Sequence, residues 1–479
     1  MADKVVTLSS GEKDSFIVCR NSKGIPIRGS LMHFTNQNAV FEVYNPFSIL
    51  QLSEVLNDFK IVIGERTLYA GRGVVSSLVN TGIMLVCEAT LVDAWNDVDI
   101  LSILGNTNVL REEVRRFVAD WRSHNNVLPE FKILTSDLQG FLSELSLWLK
   151  QVELTLARSI PQDVEQLNLE LVEKVVEPVK PMARDFLQRL EEIGATIPQE
   201  LVAIHKAYLR RDLHPLTLCS PFIHRTFTKP LGYAGDYEMI NMILGDSREG
   251  GNIFAKSINA LVLGAEVAQA HRNRIKILTR LLEQEGKRAE AENRRFKVLN
   301  IACGPAREVV QFIRQSPNAN RCDMTLLDFS KEALACAQTE TTKAKEAVAS
   351  GIRLSFVEKS IDTLLRESIR RVSPSSFGEE QHDVVYCAGL FDYLSDAVCR
   401  RLMAMFYEWL LPGGCLMATN VHARNPQRYL MEYLLEWNVV HRDERDMAGL
   451  VSLGTEKEVF VDETGVNVFL KLRRTAARP

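Results

Sequence analysis

The chain has 479 residues, 46% hydrophobic and 25% charged, with a formal net charge of -4. That length exceeds one ordinary domain, and the balance excludes both a disordered chain and the basic footprint of a nucleic-acid binder. The nine cysteines are scattered without a CxxC pair, which reads as small buried thiols, with no disulfide framework and no metal site expected. The opening "MADKVVTLSSGEKDS" has no apolar core of signal-peptide length, and no run approaches a membrane span, so a cytoplasmic location is expected.

From Ser15 to about Asp93, short β-branched segments alternate in polarity between Gly and Asn punctuation, predicting a small antiparallel β-barrel over residues 1–96. Residues 97–290 change character. "VLREEVRRFVADWRS", "LTSDLQGFLSELSLWLKQVELTLARSI" and "VEQLNLELVEKVVEPVKPMARDFLQRLEEI" space apolar residues by three and four with charges between, the pattern of helices. Pro161, Pro178 and Pro181 are expected to mark turns or kinks there. The exposed helix length could also supply the seam of a homodimer.

Residues 217–248, "TLCSPFIHRTFTKPLGYAGDYEMINMILGDSR", are dense in aromatics, Gly and Pro with poor periodicity. A tight loop at Gly232 and Gly235 would bring Tyr233, Asp236 and Tyr237 to a site as a lid. A helix over "NIFAKSINALVLGAEVAQAHRNRIKILTRLLEQE" follows, then "EGKRAEAENRR" as a surface connection. From 291 to 479, strands and helices alternate, predicting an α/β domain with a parallel, Rossmann-like sheet.

That domain opens with "FKVLNIACGPAREVVQFI", a buried strand, a turn on one glycine and a proline, then an amphipathic helix. Gly304 sits where backbone must approach a ligand, flanked by Ala302 and Pro305. A dinucleotide loop would need three glycines to admit a pyrophosphate; here Pro305 and Ala306 disfavour one, so a ligand without phosphate fits better. "DMTLLDFSKEALACAQ" ends a second strand at Asp328, placed to accept both hydroxyls of a ribose, with Phe329 to cover an adenine. Ser360 and Ile361 close a third strand. Cys387, Ala388 and Gly389 follow a fourth, and "WLLPGGCLMATNVH" reads as a helix, a PGG turn and a fifth strand.

Strand, glycine turn, helix, strand and acid resemble the nucleoside-sulfonium site of class I S-adenosylmethionine methyltransferases over Phe296 to Arg474. The resemblance implies S-adenosyl-L-methionine as cofactor, the methionyl part over Gly304, the ribose on Asp328, and the adenine lined by Ser360 and Ile361. The third strand lacks the usual following acid, with Ser360 in its place and Asp362 as a substitute. "KPLGYAGDYEM", "LNIACGPAREV", "LLDFS" and "GLFDYLSD" further resemble bacterial methyltransferases grouped with 3-hydroxypalmitate methyl ester synthases, over roughly Pro221 to Arg474. That implies O-methylation of a small carboxylic acid, plausibly a fatty acyl chain. N-methylation of a small amine, or a sensing module without turnover, stay as alternatives.

A carboxylate acceptor is already anionic and needs no base, whereas an amine or hydroxyl generally does. Tyr233 and His422 are the candidate catalytic residues, His422 because it follows the fifth strand at the cofactor edge. Arg225, Arg272 and Arg274, with His224 and His271 near them, could grip a carboxylate. The front region, through "CRNSKGIPIRGSLMHFTNQNAVFEVY", is similar to PilZ domains, which bind cyclic di-GMP. Arg20 and Arg28 match their arginine-rich entry, while the D/N-x-S-x-x-G turn is missing.

Overall fold

The computed structural model describes residues 15–35, 37–43, 50–63, 66–80, 85–93, 126–159, 164–370, 381–451 and 456–475, with single positions at 111, 115 and 118. The expected helix over "VLREEVRRFVADWRS" and the turn at Pro161 lie outside the fully described residues. The chain forms two compact units. One comprises Met1–Ala234, Arg248–Val262 and Gln427–Asn438, the other Gly235–Ser247, Leu263–Pro426 and Val439–Pro479.

The first unit begins with strands β1 (Ser15–Arg20), β2 (Pro26–Phe34), β3 (Asn38–Val43), β4 (Val55–Ile63), β5 (Arg66–Asn80) and β6 (Leu85–Leu91). They close in the order β1-β2-β3-β6-β5-β4 with antiparallel pairing throughout, so no edge is left open. Alternation drives closure: Ala39, Phe41 and Val43 of β3 point inward, and every second residue faces out. Inside, the Phe59 ring meets Phe41 at 5.8 Å and Tyr69 at 6.1 Å, both edge-on.

Helices follow: α1 (Pro129–Ser159), α2 (Val164–Gly194), α3 (Val202–Thr217) and α4 (Pro221–Thr228). Pro178 and Pro181 lie inside α2, so the helix runs through the prolines that the sequence reading took as punctuation. Burial of the α2 face offsets the missing amides, as at Val172 and Leu190. The aperiodic lid stretch is also more helical than expected. Ser220 caps α4 by accepting from the Ile223 amide, with Pro221 at its first position, and α5 (Tyr237–Leu244) belongs to the second unit. The helix expected over 252–285 is two, α6 (Ile253–Leu263) and α7 (Glu266–Ala291). The latter runs on through most of "EGKRAEAENRR", because Glu285, Gly286 and Ala289 are buried rather than solvated.

The second unit is built on a seven-stranded sheet, ordered β12-β13-β11-β10-β7-β8-β9. The strands are β7 (Phe296–Ile301), β8 (Cys322–Asp328), β9 (Arg353–Glu358), β10 (His382–Cys387), β11 (Leu410–Val421), β12 (Lys457–Val461) and β13 (Asn467–Arg473). β7 to β11 pair in parallel, and β13 runs antiparallel to both β11 and β12. The LPGG sequence falls within the bounds of β11, with Gly413 at φ +80, instead of forming a separate turn before it. Crossovers are made by α8 (Arg307–Gln315), α9 (Lys331–Ala347), α10 (Ile361–Arg370) and α11 (Asp396–Glu408), and α12 (Glu444–Gly449) precedes β12. Every residue of β10 is buried, as a central parallel strand requires. Strand order reverses between β7 and β10, so a crevice opens beyond their carboxyl ends.

Candidate active site

The turn after β7 alternates backbone hand. Ala302, Gly304 and Ala306 all hold left-handed φ values, of 55°, 51° and 49°. Two alanines there cost roughly 1–2 kcal/mol each, strain that surrounding hydrogen bonds must hold. The Cys303 amide donates to the Leu327 carbonyl at 3.0 Å, and the Gly304 amide donates to Asp328 Oδ2 at 2.9 Å. A Cβ built on Gly304 would meet nothing within 4 Å, so this backbone borders open space. The turn is a cradle that a side chain would fill.

Asp328 is buried at the tip of β8, and its other oxygen accepts from the Ser330 amide at 3.0 Å. It ties the glycine turn to the start of α9. Phe329 follows Asp328, partly exposed. Ser360 hydrogen-bonds Thr363 and accepts from its amide at 3.2 Å, opening α10 at Ile361. Asp362 pairs with Arg366 at 2.9 Å.

Cys387, buried, ends β10, and Ala388, partly exposed, follows it. Burial pushes the thiols of Cys303 and Cys387 up, so neither is a thiolate. Gly389 holds φ +90, and a Cβ on it would lie 3.1 Å from Arg274 Nη1. Only glycine lets this buried guanidinium of α7 come so close.

Polar groups packed behind this edge were not legible. Glu308 accepts from Asn300 Nδ2 at 2.9 Å and from the Tyr386 hydroxyl at 2.8 Å, joining β7, β10 and α8. Burial raises its carboxyl, with Arg274 among the groups opposing that. Asp392 accepts from the Val421 amide at 2.6 Å; burial pushes it up to about 6, against the pull of Arg274. Arg442, fully buried, donates to Asp396, Asn420 and the Phe391 and Leu394 carbonyls, pinning the loops after β10 and β11. Only Glu308 carried a sequence signal, as a charge beside the apolar Val309, Val310 and Ile313.

The other expected residues are placed as follows. His422 is buried after β11. Its Nδ1 accepts from the Arg424 amide at 3.0 Å and its Nε2 meets Glu444 Oε2 at 3.0 Å. Both ring nitrogens are committed. His271 bonds the Val267 carbonyl through Nδ1 at 2.8 Å, and burial beside Arg274 pushes it down to about 3. Asp236 caps α5 by accepting from the Met239 amide at 2.9 Å. Asn241 of that helix accepts two bonds from Arg307, at 3.0 and 2.7 Å, which fixes α5 to the start of α8. Tyr233 belongs to the first unit, and Gly232 before it has φ +83 with its carbonyl accepting from the Val55 amide at 2.7 Å. Ala302, Gly304, Pro305, Asp328, Phe329, Ser360, Ile361, Cys387 and Ala388 therefore share the carboxyl edge of β7 to β10.

Residues 298–414 match the family model of a methyltransferase domain. Among solved structures, the chain is similar to a possible exported protein from Bordetella parapertussis at 14% identity, covering 63% of this chain and 97% of that one, with a TM-score of 0.41. It is similar to magnesium protoporphyrin IX methyltransferase from Synechocystis PCC 6803 with bound SAH at 12% identity, covering 53% and 98%, with a TM-score of 0.35. An O-methyltransferase family protein from Burkholderia thailandensis shares 15% identity over 59% and 75%, with a TM-score of 0.32. No curated protein matches the chain.

Proposed function

We propose that this S-adenosylmethionine-dependent methyltransferase acts on the carboxyl group of a small acid, a fatty or hydroxy fatty acid being the favoured class. The observation that carries the acceptor chemistry is the engagement of His422, whose two ring nitrogens are held by Arg424 and Glu444. An acceptor that arrives as a carboxylate needs no proton removed, so it suits an edge whose histidine is already occupied. The resemblance of "KPLGYAGDYEM" and "GLFDYLSD" to 3-hydroxypalmitate methyl ester synthases supports the acyl class.

Bound S-adenosylmethionine supplies an electrophilic methyl group on a sulfonium. In this reading, Asp328, the carboxylate at the tip of β8 beside the glycine turn, receives the ribose hydroxyls. Gly304 gives the methionyl portion room, Ser360 and Ile361 line the adenine, and Phe329 covers it. Cys387 and Ala388 wall the other side. Asp236 contributes by starting α5. The chain's work is alignment and exclusion of water, the main requirements of an in-line displacement.

The test is incubation with methyl-labelled cofactor and a panel of fatty and hydroxy acids, scoring alkali-labile label released as methanol. Ester label on an acid is expected; label confined to amines would overturn the reading.

The same proposal gives the barrel a scaffold role. Arg20 donates to the Gly24 carbonyl at 3.2 Å and pairs with Asp58 at 3.4 Å, and Arg28 lies 4.1 Å over the Phe16 ring, which supports scaffold over a cyclic di-GMP site. Calorimetry with cyclic di-GMP is expected to show no heat of binding. Two copies pairing along α1 are supported by its exposed Ile133, Leu147, Trp148 and Leu154. A cytoplasmic setting completes the proposal. Among the described residues, no helix is long and apolar enough to cross a membrane.

A further inference from the structure

Lys229, the first residue of the KPLGYAGD stretch, has no part in the site above. It is 3% exposed, sits in the left-handed region at φ 47, and donates to the Phe227 carbonyl at 3.3 Å. Two further cations of the first unit share its surroundings. Lys206 of α3 is buried and donates to Asn438 Oδ1 at 3.1 Å, with its ammonium 5.5 Å from the Tyr433 ring centre. Arg210, one turn on, pairs with Glu436 at 3.0 Å. Glu436 is the carboxylate common to all three, and its own charge is favoured first by Arg210, then by Lys229 and Lys206.

All three cations face Glu436, and Glu432, which also favours the Lys206 charge, is itself paired with Arg428 at 2.8 Å, so the cationic groups outnumber the acids in a buried place. Unpaired buried charge is costly, and a protein either neutralises it or binds a counter-charge there. One polar group in the same cluster also lacks a partner: the Asn438 Nδ2 amide, on a residue more than nine-tenths buried. Asn438 already turns its oxygen to Lys206, so its free amide belongs to the cluster. His214 adds nothing to the anionic side: its Nε2 meets the Leu434 carbonyl at 2.9 Å, and burial pushes its pKa down.

The segment is held in place. Ser53 accepts from the Asn438 amide at 2.6 Å and meets the Asn438 and Glu436 carbonyls at 2.9 and 3.3 Å, while Glu436 takes φ +52. Strain in a bulky residue that the barrel itself clamps is the mark of a positioned group.

We infer that Lys206, Arg210, Lys229 and Asn438 form a binding site for a small oxyanion, a phosphate or carboxylate group. Cations that outnumber the acids favour a doubly charged phosphate over a single carboxylate, and Arg210, 15% exposed at its side chain, marks the open side. Burial pushes Lys229 down to about 8, so the cation stays charged at neutral pH for such a ligand to pair with.

The test uses the full chain at fixed ionic strength, following the unfolding midpoint and calorimetric binding with inorganic phosphate and, separately, octanoate. A saturable rise of roughly 5 °C at a hundredfold excess over Kd is expected for phosphate. Lys229→Met should weaken binding at least about tenfold, as loss of one charged partner does. A response to octanoate alone identifies the source as a carboxylate and keeps the site. No saturable response of the wild-type chain to either anion overturns it, as does an equal response in Lys229→Met, which would mark an adventitious ion only. Neither failure touches the methyl-transfer reading.

Discussion

At Gly304 two requirements meet: a left-handed backbone and open space where a side chain would stand. Gly304→Val is expected to cost about 1–2 kcal/mol of stability through the backbone. It should abolish S-adenosylhomocysteine binding by calorimetry, because the isopropyl group fills the cradle. Asp392 gives a pH signature. Its carboxyl sits at about 6 in the fold, so it holds a proton that the unfolded chain, near 4, has lost. Its stabilising contribution is therefore full below about pH 4 and is lost as pH rises through 6, about 3 kcal/mol in total. His271, pushed down to about 3, acts in the opposite sense, destabilising the fold as pH falls below its ordinary value. Denaturant titration of wild type and Asp392→Asn from pH 4 to 7 cancels the histidine. The wild type should lose about 2 kcal/mol relative to the variant over that range. A constant difference would contradict the buried, raised carboxyl.

At the scale of elements, caps decide what the lid stretch becomes. Asp236 starts α5 and Asn241 fixes it to Arg307, so this segment is built by local bonds that a periodicity reading does not register. Asp236→Ala should cost about 1 kcal/mol of stability, read by denaturant titration, while leaving cofactor affinity nearly unchanged. A loss of affinity matching that of an Asp328 variant would instead make Asp236 a cofactor contact. In α2 the prolines remove amides from a helix that tertiary packing sustains. Pro181→Ala is expected to raise stability by about 1–3 kcal/mol in the same measurement.

Over the whole molecule, the barrel and the alternating α/β sheet were legible because both rest on periodicity: period two at Ala39, Phe41 and Val43, buried parallel runs at β7 and β10. Gly304 and Asp328 were legible because spacing and residue type alone set a turn and a strand tip. Of the buried polar groups, Arg274 is expected from sequence only as a grip on a carboxylate, and Asp392 and Arg442 not at all. Arg274, Asp392 and Arg442 acquire their setting from residues distant in sequence, and no local pattern announces a guanidinium that packs against Gly389 or pins two strand loops. Nor does any pattern foretell that residues 427–438 join the first unit, where Ser53 holds Asn438. We propose that the carboxylate at the tip of β8 holds the sugar of the methyl donor. Calorimetry of S-adenosylhomocysteine with wild type and a folded Asp328→Asn variant, folding checked by circular dichroism, tests it most directly. A loss of at least about thirtyfold, near 2 kcal/mol, is expected; equal affinity in the two proteins would rule out that role for Asp328.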